Sequence, residues 1–110
     1  MKPKRLVFRE LAKLDIEAAF DHYLAEAGPD IAIIFVDEIE RAKDRIARDP
    51  GAGSPRYAFE LEIPDIRSWP VKRFPYLIFY VDLGSLVDIW RVLHSHADIP
   101  SWMYDPDSTR

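Results

Sequence analysis

The sequence predicts a small α+β domain, and three observations support this fold class. Two segments, residues 11–27 and 30–48, carry apolar residues at helical spacing. A short apolar segment precedes them, and segments rich in β-branched and aromatic residues follow. Two helices joined by a short linker form a hairpin, which must bury its apolar stripes against a sheet. We therefore expect an N-terminal strand, a two-helix hairpin and a three-stranded antiparallel meander that together form one small sheet.

The first strand is predicted over residues 5–10 and the first helix over residues 11–27. Gly28 and Pro29 should end this helix, because glycine permits a left-handed closing residue and proline cannot extend a helix. Asp15, Glu17 and Asp21 are expected to lie away from its apolar face. That face is predicted to carry Ile16, Phe20, Tyr23, Leu24 and Ala27.

The second helix is predicted from an N-cap at Asp30 to about residue 48. Oppositely charged residues four apart, such as Asp44 and Arg48, stabilise a helix only weakly, and like-charged pairs at the same spacing offset them. Burial of its apolar stripe must therefore stabilise this helix. The stripe is predicted to consist of Ile31, Phe35, Ile39, Ala42 and Ile46.

The chain should turn at residues 49–55, which include two prolines and two glycines. Three strand-like segments follow at residues 57–61, 67–81 and 86–93, and a turn at residues 82–85 separates the last two. Residues 76–81 are apolar and aromatic enough for a central strand. Pro70 and Pro75 lack the amide hydrogen that a sheet needs, so the middle strand is expected to begin irregularly or to bulge there.

The length of 110 residues allows one domain, which we expect over residues 1–100, followed by a short tail over residues 101–110. The chain contains no cysteine, which excludes disulfides and thiolate metal sites. No apolar run approaches the length of a signal-peptide core or a membrane span, so a cytoplasmic protein is expected. The net charge of −4 argues against a protein whose whole surface binds nucleic acid.

Several short motifs occur in a fixed order. They are the turn DPGAG (49–53), the strand opening RSWPV (67–71), the aromatic strand core YLIFY (76–80), the last strand IWRVLH (89–94) and its continuation ADIP (97–100). Together these motifs resemble the ParE branch of the ParE/RelE toxin superfamily over roughly residues 6–100. One position departs from the family, because Ala97 stands where a basic residue often precedes the final aspartate.

The resemblance implies a RelE/ParE-like fold and a function as the toxin of a type II toxin–antitoxin system. It implies two partners, which are a cognate ParD-like antitoxin that neutralises the toxin and DNA gyrase as the target. We expect no binding to membranes, and no direct sequence-specific binding to nucleic acid by the toxin alone. Inhibition by binding requires neither a cofactor nor a catalytic residue. The alternatives are a RelE-like ribosome-dependent messenger RNA endonuclease, and a relative that binds an antitoxin but has lost toxicity.

The ribonuclease alternative would need an acid or base near the 2′-hydroxyl and cations near the phosphate. The candidates are Glu60 or Glu62 as the carboxylate, with Arg67, Lys72, Arg73, Arg91 and His94 as the basic groups. Arg91 and His94 would point to opposite faces of a regular strand, which is poor geometry for one site. We therefore expect Arg91 to pair with an acid on the sheet and His94 to cap the strand end. The residues predicted to contact a target or partner are Arg67, Lys72, Arg73, Arg91, His94 and Trp102.

The tryptophans and the apolar helix faces are the remaining candidates for interaction. Trp69 and Trp90 suit the core of a small domain, whereas Trp102 follows Pro100 and is open to either packing or partner contact. The residues predicted to form an antitoxin groove are Phe20, Tyr23, Phe35 and Trp69. His94 and His96 are two apart, but their segment should leave the sheet before Pro100, so no metal site is expected.

Overall fold

A computed structural model describes residues 2–104 of the chain. Its elements are β1 (Arg5–Phe8), α1 (Glu10–Ala27), α2 (Pro29–Arg48), a 3-10 turn (Pro50–Ala52), α3 (Ala58–Leu61), β2 (Ile66–Pro70), β3 (Tyr76–Asp82), β4 (Leu86–His94) and α4 (Ile99–Tyr104). The α+β fold class is confirmed. Within the described residues, no helix combines the length and the apolar composition that a membrane span requires.

The sheet has four strands in the order β1-β4-β3-β2. β2, β3 and β4 form the predicted antiparallel meander, and β1 pairs in parallel with β4. Arg91 lies opposite Phe79 and Ile89 lies opposite Tyr80, so Trp90 is the extra residue of a β-bulge in β4. The bulge changes the direction of the side chains that follow it.

Each face of the sheet is covered by helices. One face packs against α1 and α2 through a core that includes Phe35, Ile39, Ile78 and Ile89. The opposite face packs against α3 and α4 through a second core that includes Leu61, Phe79, Leu93, Ile99 and Met103. The domain therefore has two small cores, one on each side of a single sheet.

The link between the two long helices differs by two residues from the prediction. Gly28 has a φ of 90° and donates its N–H to the Leu24 carbonyl at 3.2 Å, which closes α1. The same residue is the N-cap of α2, whose first residue is Pro29. The predicted N-cap at Asp30 is therefore wrong, because proline already occupies the first position of the helix.

The apolar face of α1 agrees only in part with the prediction, since Ile16, Phe20 and Tyr23 pack against the core but are not its most buried residues. Ala12, Asp15 and Ala19 are its buried residues, whereas Leu24 is 43% exposed. The prediction that Asp15 lies away from the core is wrong, since it shares the helical face of two alanines spaced three and four residues from it. The stripe of α2 is confirmed at Phe35, Ile39, Ala42 and Ile46, but Ile31 is 37% exposed.

Residues 57–61 do not form the predicted strand. The segment is the single helical turn α3, in which Tyr57 and Leu61 face the sheet and Phe59 points away from it. Tyr57 packs edge-to-face on Phe79 at 5.3 Å between ring centroids. Positions four apart share a face in both a strand and a helix, so the alternating apolar residues fitted either structure.

The predicted strand over residues 67–81 is two strands, β2 and β3, joined by a turn. Val71 donates its N–H to the Tyr76 carbonyl at 2.9 Å across this turn. Arg73 has a φ of 71° there, a left-handed conformation that is uncommon for a residue other than glycine. Pro70 ends β2 and Pro75 precedes β3, so the prolines mark a full reversal rather than a bulge.

The predicted domain boundary at residue 100 falls inside α4. Ile99 and Met103 are 4% and 5% exposed, and both pack in the core that also contains Leu93. Trp102 is half-buried and packs against the same core. Of the predicted tail, residues 105–110 lie outside the described residues.

Candidate partner-binding surface

A groove of about 870 Å³ runs between α2 and the edge of the sheet. Trp69, Pro70 and Lys72 line it from the sheet side, and α2 supplies the opposite wall. The α2 wall is lined by Glu38, Glu40, Arg41, Ala42, Asp44 and Arg45. Trp69 is half-buried, and the Arg45 guanidinium lies 5.9 Å from the centroid of its ring. The groove therefore offers an aromatic floor with charges of both signs around it.

Glu38 is a buried carboxylate in the wall of this groove and is 3% exposed. It pairs with the Arg41 guanidinium at 3.6 Å and with that of Arg73 at 3.5 Å, and both arginines are largely exposed. The pair with Arg73 joins the β2–β3 turn to α2. Glu38 was not among the predicted site residues, although its spacing of three residues from Phe35 and four from Ala42 places it on the buried face.

The α1–α2 hairpin carries a second, smaller cavity of about 300 Å³. Phe8, Ile16 and Val36 give it an apolar lining, and Lys13 and Lys43 are among its other lining residues. The hairpin also exposes large apolar side chains that the core does not use. Those at least 37% exposed are Leu14, Leu24, Ile31, Ile33 and Val36. These five side chains are candidate contacts for a partner.

Arg67 binds the DPGAG turn rather than an open surface. Its Nη1 donates to the Gly53 carbonyl at 2.7 Å, and the Tyr80 hydroxyl donates to the Pro50 carbonyl at 2.6 Å. A Cβ on Gly53 would overlap the Tyr80 hydroxyl and crowd Arg67. Burial raises the pKa of Tyr80, which keeps its hydroxyl protonated as the donor. The turn is thus fixed on the sheet by two side chains.

Arg91 is buried at 1% exposure and forms an ion pair with Asp15 of α1. Its Nε and Nη2 each lie 2.8 Å from a carboxylate oxygen of Asp15, and Asp15 also accepts the Val92 N–H at 2.9 Å. Nη1 of Arg91 donates to the carbonyl of Trp102 in α4. The predicted contact of Arg91 with a partner does not fit this burial, because its guanidinium joins α1, β4 and α4 inside the fold. The expected acidic partner is present, but it lies on a helix.

His94 lies at the end of β4, at the edge of an aromatic cluster. Its ring packs edge-to-face on Tyr76 at 5.3 Å, and its Nδ1 accepts the His96 N–H at 3.1 Å. Burial raises the pKa of Tyr76, and the charges of Tyr23 and Asp15 add to this effect. Tyr76 is therefore a poor base at neutral pH. Among residues 2–104, no group of three or more potential metal-binding side chains occurs.

The four residues predicted to form an antitoxin groove lie in different surroundings. Phe35 is fully buried, and its ring contacts those of Tyr23, Phe74 and Tyr76. Its side chain therefore has no surface to offer a partner. Phe20 and Tyr23 are half-buried in α1. Trp69, by contrast, lines the large groove together with Lys72 and with Glu38, which pairs with Arg73.

Two of three comparisons with known proteins place the chain in a family. The sequence profile of the ParE toxin of the type II toxin–antitoxin system, parDE, matches residues 6–99. A solved chain from the chromosomal ParDE toxin–antitoxin system of P. aeruginosa aligns with a TM-score of 0.69 and 26% sequence identity, covering 83% of this chain and 95% of that chain. A comparison with curated proteins finds no match. Since the profile spans nearly all of the fold, the chain belongs to the ParE toxin family of type II toxin–antitoxin systems.

Proposed function

We propose that this chain is a toxin that inhibits DNA gyrase by binding it and that a cognate ParD-like antitoxin neutralises it. Membership of the ParE family over residues 6–99 is the observation that carries the proposal. The related P. aeruginosa chain comes from a ParDE toxin–antitoxin system, which supports a ParD-like partner here. Gyrase acts in the bacterial cytoplasm, and we propose the same location for the toxin.

Action by binding rather than by RNA cleavage is supported by the positions of the candidate catalytic groups. Arg91 is paired with Asp15 in the interior, Arg67 binds a backbone carbonyl, and His94 accepts the His96 N–H. Acid–base cleavage requires such groups to converge on one phosphate. Their separate structural contacts favour a toxin that recognises a protein surface.

The groove between α2 and β2 is our proposed antitoxin site. Trp69 supplies a large half-buried ring, and partly exposed aromatic residues of this kind are enriched where proteins bind each other. Charges of both signs line the groove, with Arg41 and Lys72 beside Glu40 and Asp44. A peptide with apolar and charged side chains matches this lining better than a polyanion does. Phe20 and Tyr23 remain candidate contacts on α1.

The partner assignment is tested by co-expressing the toxin with the reading frame beside it. We expect a tight complex that co-purifies and melts at a higher temperature than the toxin alone. Trp69→Ala should weaken the complex by about tenfold or more, the usual effect at an interface hot spot. Leu83→Ala, a change at an exposed residue of the β3–β4 turn, is the control and should leave affinity unchanged. Failure of the wild-type pair to co-purify would contradict the antitoxin assignment.

The target assignment is tested by inducing the toxin without antitoxin and following DNA supercoiling and transcript ends in parallel. We expect loss of negative supercoiling and a DNA-damage response, with messenger RNA intact at early times. His94→Ala should leave toxicity largely intact, because His94 has a structural contact and no proposed chemical role. Prompt cleavage of translated messages with normal supercoiling would contradict gyrase inhibition and support the RelE-like alternative.

A further inference from the structure

Phe59 is 94% exposed, more than any other large apolar side chain in the described part of the chain. The helical turn that carries it is nevertheless fixed. Leu61 is buried in the second core, and Ile63 donates its N–H to the Ala58 carbonyl at 3.0 Å. Glu62 closes the turn with a left-handed φ of 56°. The ring is therefore held out from the surface by an ordered backbone.

The surroundings of Phe59 are acidic. Glu60, Glu62 and Asp65 are all exposed, and Glu60 and Glu62 line a shallow hollow of about 600 Å³ beside the ring. The nearest cation in the sequence is Arg56, whose guanidinium lies 5.2 Å from the centroid of the Tyr57 ring. An apolar ring bordered by carboxylates is complementary to an apolar pocket with a cationic rim.

We propose that Phe59 and its neighbouring carboxylates anchor this toxin to its target, a DNA-handling protein, through an apolar pocket bordered by basic residues. This inference rests on the proposed function. Proteins that handle DNA present cationic surfaces. The carboxylates of the toxin are attracted to such a surface, and the exposed ring can then bind in a pocket of it. α3 lies on the face of the sheet opposite the α1–α2 hairpin. The anchor is thus separate from the proposed antitoxin groove.

Phe59 should lose little conformational entropy when it binds the target. A preorganised aromatic side chain has only two rotatable bonds to fix, and its backbone is already held by hydrogen bonds. Burying the ring removes a large apolar area from water. A single residue with these properties is typical of an interface hot spot.

The experiment compares purified wild-type toxin with Phe59→Ala and with the control Leu83→Ala, which changes another exposed apolar residue. Gyrase binding, inhibition of supercoiling and antitoxin binding are measured for each protein. We expect Phe59→Ala to weaken gyrase binding and inhibition by about tenfold or more. Antitoxin affinity and the circular dichroism spectrum should not change. Leu83→Ala should behave as the wild type does.

A second variant tests the acidic border. The double variant Glu60→Lys, Glu62→Lys should bind gyrase more weakly than the wild type does, and its binding should depend less on salt concentration. Wild-type inhibition of gyrase without any effect of Phe59→Ala would overturn this inference and leave the proposed function intact. Loss of antitoxin binding alone would overturn it too, by assigning the anchor to the antitoxin. If the wild type does not bind gyrase, both proposals fall.

Discussion

Replacing Asp15 with alanine should be strongly destabilising, because it removes one half of a buried ion pair. The side chains of Arg91 and Asp15 are only 2% and 5% exposed. The change leaves the Arg91 guanidinium without a counter-charge and the Val92 N–H without its acceptor. Breaking a buried pair in this way costs about 3–5 kcal/mol. A domain of this size has a free energy of unfolding of about 5–15 kcal/mol, so much of its stability would be lost.

A matched control exists in α2. Arg48 and Asp44 also form an arginine–aspartate pair, at 2.9 Å, but their side chains are 59% and 56% exposed. Asp44→Ala should therefore cost less than about 1 kcal/mol, as exposed pairs do. Urea unfolding followed by circular dichroism measures both variants under the same conditions. If Asp15→Ala cost no more than Asp44→Ala, the argument from burial would be refuted.

The Asp15–Arg91 ion pair also affects how a loss of toxicity in a variant is interpreted. Arg91 lies in the motif by which the sequence resembles ParE toxins, and an Arg91→Ala variant without toxicity would suggest a lost target contact. The structure gives a different reason, since the guanidinium holds α1 and α4 against β4. Toxicity of such a variant is informative only when its free energy of unfolding is measured beside it.

Three further predictions concern stability. Ile39→Ala in the α2 stripe should cost about 2–5 kcal/mol in urea unfolding, and a loss below about 0.5 kcal/mol would show an exposed site. Gly53→Ala should lower the melting temperature markedly, while Gly51→Ala, which has space for a Cβ, should change it little. The hydrogen bond from Lys4 lowers the pKa of Asp82. That carboxylate stabilises the fold above its unfolded pKa, and the benefit is lost as the pH falls through its folded pKa. Asp82→Asn should therefore show a shallower loss of stability than the wild type below about pH 4.

The elements that depend on local pattern could be predicted from the sequence. The α2 stripe was correct at Phe35, Ile39 and Ile46 because its apolar and charged residues lie on different sides of the helix. In α1 apolar residues occur around most of the helix, so its buried face was less well defined by the sequence. α3 has 4 residues, too few for any period to be measured. Tyr57 and Leu61 are spaced so that strand and helix predict the same face, and only packing against Phe79 decides between them.

The candidate site was less predictable, because its contacts join residues far apart in the chain. Asp15 and Arg91 are 76 positions apart, and Asp15 was predicted to lie away from the core. The turn at Arg73 has a positive φ without a glycine, so no residue type indicated its conformation. Its contact with Glu38 is equally non-local. Local patterns identified the two long helices and most of the strands, whereas α3, α4 and the ion pairs depended on how those elements pack.

The charge distribution favours a protein partner over RNA once these contacts are counted. Residues 67–97 contain four cations, which in the sequence look like a basic patch. Arg91 is neutralised by Asp15 in the interior, and Arg67 is bound to a backbone carbonyl. Arg73 is paired with Glu38, and Lys72 lines a groove that also contains Glu40 and Asp44. A surface that binds a phosphate backbone needs several uncompensated cations together. Here the same cations make contacts within the fold or border a groove of mixed charge, an arrangement that suits a protein partner better than a phosphate backbone.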